Sequence, residues 1–231
     1  MRSCSSCPKI DDDCYDWYLR HENKCLEISS VNPDLIFIGD SITHFWAPED
    51  ACCYGEKVWQ KYYSKRKVVN LGFGFDRTQN MLWRLENGEG NCRPPRVVVV
   101  NAGTNQFSIT ENYSGDTPYE AFCGVRMLLN KIRSLWPQSE IIVMGVFPRL
   151  PEEPTQKCID ELNRLLKNYI CTSSDSRMKF FDIGSQLRNP DGSFNRDLYA
   201  DQVCHPNEAG YLIWARAIEP EISRILGDSV Q

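Results

Sequence analysis

Asp34-Leu35-Ile36-Phe37-Ile38-Gly39-Asp40-Ser41-Ile42 decides how the chain folds. The apolar run from Leu35 to Ile38 is short, unbroken and closed by glycine, as in a strand covered on both faces. Four more such runs follow: Lys67 to Leu71, Val97 to Val100, Ile141 to Val146 and Met178 to Ile183. Between them, apolar residues recur at three- and four-residue spacings, in Tyr119, Phe122, Val125, Leu128, Leu129 and Ile132 and again in Ile159, Leu162, Leu165, Leu166 and Tyr169, which predicts helices. Parallel strands cannot be joined by tight turns, so strand, helix, strand implies right-handed crossovers and a parallel sheet. The expected class is three-layer α/β, with a five-stranded parallel sheet and helices on both faces.

Ligands of such sheets sit beyond the carboxyl ends of the strands, near the reversal of strand order. The residues that follow the strands are therefore the candidates: Gly39-Asp40-Ser41, Gly72-Phe73-Gly74-Phe75-Asp76, Asn101-Ala102-Gly103-Thr104-Asn105 and Phe147-Pro148-Arg149. The stretch Gln106 to Pro118 reads as one oversized loop, of the sort that closes over a substrate. Residues 1–231 read as a single domain, with 1–30 an N-terminal helical extension packed beside the sheet.

With 231 residues and 42% hydrophobic content, one ordinary core is enough. A net charge of −5 without a Lys/Arg cluster argues against nucleic acid as a partner. The apolar runs are too short to span a membrane, and the first residues lack the apolar middle of a secretory signal. The expectation is a cytoplasmic protein acting on a small molecule, with a homodimer left open. The cysteine count of eleven is odd, and a chain of this size needs no staples, so reduced thiols are expected. Cys4-x-x-Cys7 lacks the second ligand pair that a zinc site requires.

Ser41 lies where a strand passes into a helix, a place where unpaired backbone N–H groups can face developing negative charge. Taken alone, Gly39-Asp40-Ser41-Ile42 reads more readily as a plain turn with an N-capping serine than as a nucleophile. Three further blocks follow in order: Val69 to Thr78, Val100-Asn101-Ala102-Gly103-Thr104-Asn105-Gln106, and His205-Pro206-Asn207-Glu208-Ala209-Gly210-Tyr211. Together they resemble the SGNH, or GDSL, hydrolase superfamily. Asn80-Met81-Leu82-Trp83-Arg84-Leu85-Glu86-Asn87-Gly88 is most similar to the catalytic subunits of intracellular platelet-activating-factor acetylhydrolase and their bacterial esterase relatives.

The resemblance implies a flavodoxin-like serine esterase that needs no cofactor or metal. It implies Ser41 as nucleophile, His205 as base, Asn105 as an oxyanion donor and an acid just before His205. The superfamily spaces that acid three residues ahead, where Gln202 stands; Asp201 stands four ahead and is chosen because a carboxylate stabilises the imidazolium. Asp197 is the reserve, and a dyad completed by a backbone carbonyl is the third arrangement. Phe75 replaces the usual glycine donor but keeps its N–H, and its ring favours a small acyl group.

Among other candidates, His44 reads as a pocket-wall or surface residue and His21 as an exposed one. Asp40 and Asn70 are expected to hold the active-site loops. Trp46, Phe73, Trp83 and Phe107 are either pocket or packing residues, and Tyr211, Trp214 and Ile218 are core. The expected reaction is hydrolysis of short-chain O-acetyl esters on carbohydrate or similar small substrates. A phospholipid acetylhydrolase and a non-catalytic ligand-binding protein on the same fold are the alternatives.

Overall fold

The structure is a computed structural model that describes residues 2–49, 52–150, 155–201 and 203–229. The five apolar runs form β1 (Leu35–Gly39), β2 (Val68–Gly72), β3 (Val97–Asn101), β4 (Glu140–Met144) and β5 (Met178–Phe181). All pairings are parallel, in the order β2-β1-β3-β4-β5. Strand order reverses at β1 and β3, which leaves a crevice beyond their carboxyl ends. Gly39 pairs with Gly72 on one side and with Asn101 on the other, so the loops after β1, β2 and β3 leave the sheet at one level.

Period-two alternation sends Ile36, Ile38, Val98 and Val100 to one face and Leu35, Phe37, Val97 and Val99 to the other. The first face is covered by α1 (Trp17–Val31), α4 (Thr78–Arg84), α5 (Pro118–Leu135) and α6 (Thr155–Thr172), and the second by α3 (Glu56–Tyr62) and α7 (Glu208–Leu226). The four-residue α2 (Ser41–His44) follows β1 directly. Helix α5 begins where local chemistry dictates. Thr117 and Glu120 exchange backbone hydrogen bonds as a capping box, with Pro118 in the first turn.

The fifth run departs from its expected burial: only Met178 is buried in β5, and Phe180 and Phe181 pack against the two cores while remaining partly exposed. Tyr119, expected in the buried stripe of α5, is exposed. The N-terminal helix begins only at Trp17, where the Asp16 side chain accepts the Leu19 N–H. Ahead of it, residues 5–16 run without helix across the molecule, from α5, where Ser3 Oγ donates to the Glu120 carbonyl, to the loop after β2. No helix among the described residues is long and apolar enough to cross a membrane. All eleven thiols are unpaired, and among the described residues no three His, Cys, Asp or Glu side chains gather as metal ligands.

Helix α1 presents a polar stripe inward. Trp17, Arg20, His21, Lys24 and Ile28 are all buried, and their spacing marks one helix face. His21 is therefore not exposed: Glu89 Oε1 lies 2.9 Å from its Nδ1 and the Asn87 carbonyl 3.2 Å from its Nε2. Arg84 donates to Asp76 at 2.8 Å and to Glu89, and Trp17 Nε1 donates to Asp76 at 2.7 Å. Phe73 lies between two guanidinium groups, Arg84 at 3.8 Å and Arg20 at 4.8 Å from the ring centre. This network ties the N-terminal helix to the loop after β2. Removing one member of a buried ion network leaves its partners charged and desolvated. Arg84→Met should therefore destabilise the protein by about 3–5 kcal/mol, read as a lower urea midpoint at unchanged slope.

Candidate active site

Each candidate side chain is placed by the end of a regular element. The Asp40 carboxylate accepts the Ile42 N–H at 2.9 Å and caps α2, which seats Ser41 at the first helical position, above β1. Asn70 bridges the neighbouring strand ends, donating to the Thr43 carbonyl at 2.9 Å and accepting from Gly72 N–H at 2.7 Å. Burial pushes the Asp40 carboxyl up to about 7, against the Ile42 hydrogen bond and the nearby His205. One of its oxygens, Oδ2, has no partner among the described residues.

From the opposite side, Asn207 caps α7 by accepting the N–H groups of Ala209 and Gly210. His205, just ahead of that cap, brings Nε2 to 2.8 Å from Ser41 Oγ. Its other nitrogen, Nδ1, faces Asp201 Oδ2 in a direct hydrogen bond. The four-residue spacing is absorbed by a side-chain turn. Asp201 Oδ1 accepts the N–H groups of Val203, Cys204 and His205 at 2.9, 3.0 and 3.2 Å, so the chain folds round the carboxylate and the second oxygen is left facing the ring. Asp197 offers its backbone carbonyl to Asn207 and makes no hydrogen bond to His205 among the described residues. Gln202 lies outside the described residues.

Burial disfavours the imidazolium of His205, but the hydrogen bond and charge of Asp201 together with those of Cys204 outweigh it and lift the ring well above its ordinary value. Burial opposes the Asp201 carboxylate too, and the contact with His205 overrides it, holding the acid well below the usual range. Phe45 packs on the His205 ring at 4.9 Å.

Asn105, on the turn after β3, donates one amide N–H to the Asp76 carbonyl at 3.0 Å. That bond uses one of its two amide hydrogens. Phe75 adopts φ 59°, a left-handed conformation that a bulky residue takes only when its surroundings hold it there. Gly74 N–H donates to His44 Nδ1 at 3.1 Å. His44 is thus fully buried, not a surface residue, because α2 packs closely over β2: a Cβ on Gly72 would stand 2.2 Å from the His44 nitrogen.

Trp46 and Phe73 are core residues, and so are Tyr211, Trp214 and Ile218. Trp83 packs against Trp17, Tyr18 and His21, and Phe107 against the core beside α5 and α6. Two contributors escaped the sequence reading. Tyr211 donates to the Ile42 carbonyl at 2.8 Å and so ties α7 to the turn that carries Ser41. Lys9, 7% exposed, reaches the Gly74 carbonyl at 2.9 Å. The four-residue spacing of Lys9 and Asp13, which pair, is the one local hint of it.

A hydroxyl on an imidazole, the imidazole on a carboxylate, and amide donors on the adjoining loops form an arrangement that can transfer an acyl group. Residues 37–213 match the pattern of the GDSL-like lipase/acylhydrolase family. Over 213 residues the chain is 29% identical to the platelet-activating factor acetylhydrolase IB subunit alpha1 of Rattus norvegicus, covering 91% of this chain and 84% of that one. The fold is that of a GDSL-like lipase from Bacteroides thetaiotaomicron, with a TM-score of 0.70, 16% identity and coverage of 90% and 98% of the two chains. It is also that of an acetylxylan esterase from Geobacillus stearothermophilus, with a TM-score of 0.61, 22% identity and coverage of 84% and 94%.

Proposed function

Since the chain belongs to the GDSL-like lipase/acylhydrolase family and is a carboxylic ester hydrolase, we propose that it removes acetyl groups from O-acetylated carbohydrate or a similar small ester through Ser41, His205 and Asp201. The observation that carries this reading is the 2.8 Å contact between His205 Nε2 and Ser41 Oγ, with Asp201 on the other ring nitrogen.

His205 takes the Ser41 proton as Oγ attacks the ester carbonyl, and Asp201 stabilises the imidazolium that forms. The Ser41 and Phe75 N–H groups and the free amide hydrogen of Asn105 receive the oxyanion. His205 then protonates the leaving alcohol, and water, activated by the same ring, attacks the acyl-serine and releases the acid. No step needs a metal or cofactor. The ring of Phe75, 39% exposed beside this loop, limits the room for a long acyl chain, which is why acetyl is favoured.

A phospholipid acetylhydrolase is the second reading, favoured by the 29% identity with the rat alpha1 subunit. The likeness around Trp83 and Arg84 does not separate the two, because both side chains pack in the scaffold. A panel of acetylated xylooligosaccharides and an acetyl phospholipid decides between them. The expected result is kcat/KM higher on the sugars by roughly tenfold or more. The reverse ratio selects the phospholipid, and no labelling by a fluorophosphonate together with no turnover would leave a binding protein on the esterase fold.

A further inference from the structure

We infer that Lys9, with Tyr15, is a positioning residue for the oxyanion site: both donate to the Gly74 carbonyl and so aim and polarise the peptide whose N–H belongs to Phe75. The inference rests on the proposed role of the Phe75 N–H. Lys9 Nζ lies 2.9 Å and Tyr15 Oη 3.1 Å from Gly74 O. The carbonyl of Gly74 and the N–H of Phe75 belong to one planar trans peptide, so donors on the oxygen send the hydrogen to the opposite side, away from the N-terminal segment. A cation on the carbonyl also draws electron density from the nitrogen and strengthens the N–H as a donor, as in any hydrogen-bond chain within a low dielectric.

Three further contacts fix the groups on either side of this peptide. Gly74 N–H donates to the buried His44, Asp76 N–H donates to the Phe73 carbonyl at 3.2 Å, and the Lys9 ammonium is fixed by Asp13. The ammonium also lies 5.8 Å from the Phe75 ring centre and 5.4 Å from that of Tyr15. Burial raises the Tyr15 hydroxyl far above its ordinary value, so it remains a donor. Glycine supplies the left-handed conformation without cost; Phe75 does not, and the anchors from residues 9–15 hold the conformation that its side chain resists. Residues 9–15 thus act on the reaction without touching the substrate.

The test is steady-state turnover of p-nitrophenyl acetate by Lys9→Met, Lys9→Arg and Tyr15→Phe, together with inhibition by phenylboronic acid, whose serine adduct carries the tetrahedral oxygen. Lys9→Met should lower kcat about 10- to 50-fold with KM within about twofold. It should weaken phenylboronic acid in proportion, and Lys9→Arg should restore most of both. Tyr15→Phe, which keeps the ring, should cost a few-fold in kcat and serves if Lys9→Met does not fold. An unchanged kcat in the folded variants, a rise confined to KM, or a loss of kcat with unaltered inhibitor affinity overturns the inference. Failure of the wild type to label at Ser41 with a fluorophosphonate overturns the nucleophile assignment instead, so the two failures are told apart.

Discussion

Ser41→Ala should reduce kcat on p-nitrophenyl acetate by about 10⁵-fold, to the residual rate that binding and oxyanion donors alone sustain. In the proposed mechanism the substitution removes the protein atom that bonds to the acyl carbon, so the two-step route through an acyl-serine is closed. What it leaves behind matters as much. Ser41 is buried at the head of α2, whose cap is supplied by Asp40 and not by Ser41 itself, so among the described residues losing the hydroxyl breaks no backbone contact. Thermal unfolding should stay within a few degrees of wild type, and fluorophosphonate labelling should vanish. A variant that keeps more than a few per cent of the activity would assign the nucleophile elsewhere.

Asp201→Asn should lower kcat by about 10⁴-fold, because an amide can hold the wrong tautomer of His205 and cannot stabilise the imidazolium. The pH profile gives a second readout. The base acts only when neutral, and the contact with Asp201 raises its proton affinity, so kcat/KM of the wild type should climb along a limb whose midpoint lies above the ordinary imidazole value of about 6.5. In the variant the burial that disfavours the charged ring is opposed by Cys204 alone. The limb should then move to lower pH by about one unit or more. An unmoved limb with an unchanged rate would point to Asp197 or to a dyad. Asp201→Ala separates chemistry from folding, since it also frees the three N–H groups that Oδ1 accepts and should cost stability that Asn largely retains.

Much of the fold was legible because the strands near its centre bury both faces, and a run such as Val97 to Val100 can hardly be anything else. The edge strand β5 was not, since Lys179 is exposed and Phe180 and Phe181 are only partly covered. The candidate positions at Ser41 and Asn105 were legible for a related reason: polar residues that close a buried strand stand at the one sheet edge where ligands fit. What escaped was polar burial. Arg20, His21 and Lys24 sit at helical spacing, but a stripe of charges reads as a solvated face unless their partners are known, and Glu49 and Glu89 lie 25 to 68 residues away. Lys9 escaped for the same cause, its acceptor being 65 residues distant. Spacing alone could not judge Asp201 either, since the turn that closes round its carboxylate is a matter of three dimensions.

That turn has one more implication. Asp201 and His205, the proposed acid and base, stand four residues apart in a turn bound to itself by the carboxylate, so they travel as a unit. Insertions between β5 and Asp201 would leave their partnership whole. The pair can therefore persist through evolutionary change as one piece, and the reach from the ring to the serine is a seam where such change would be felt.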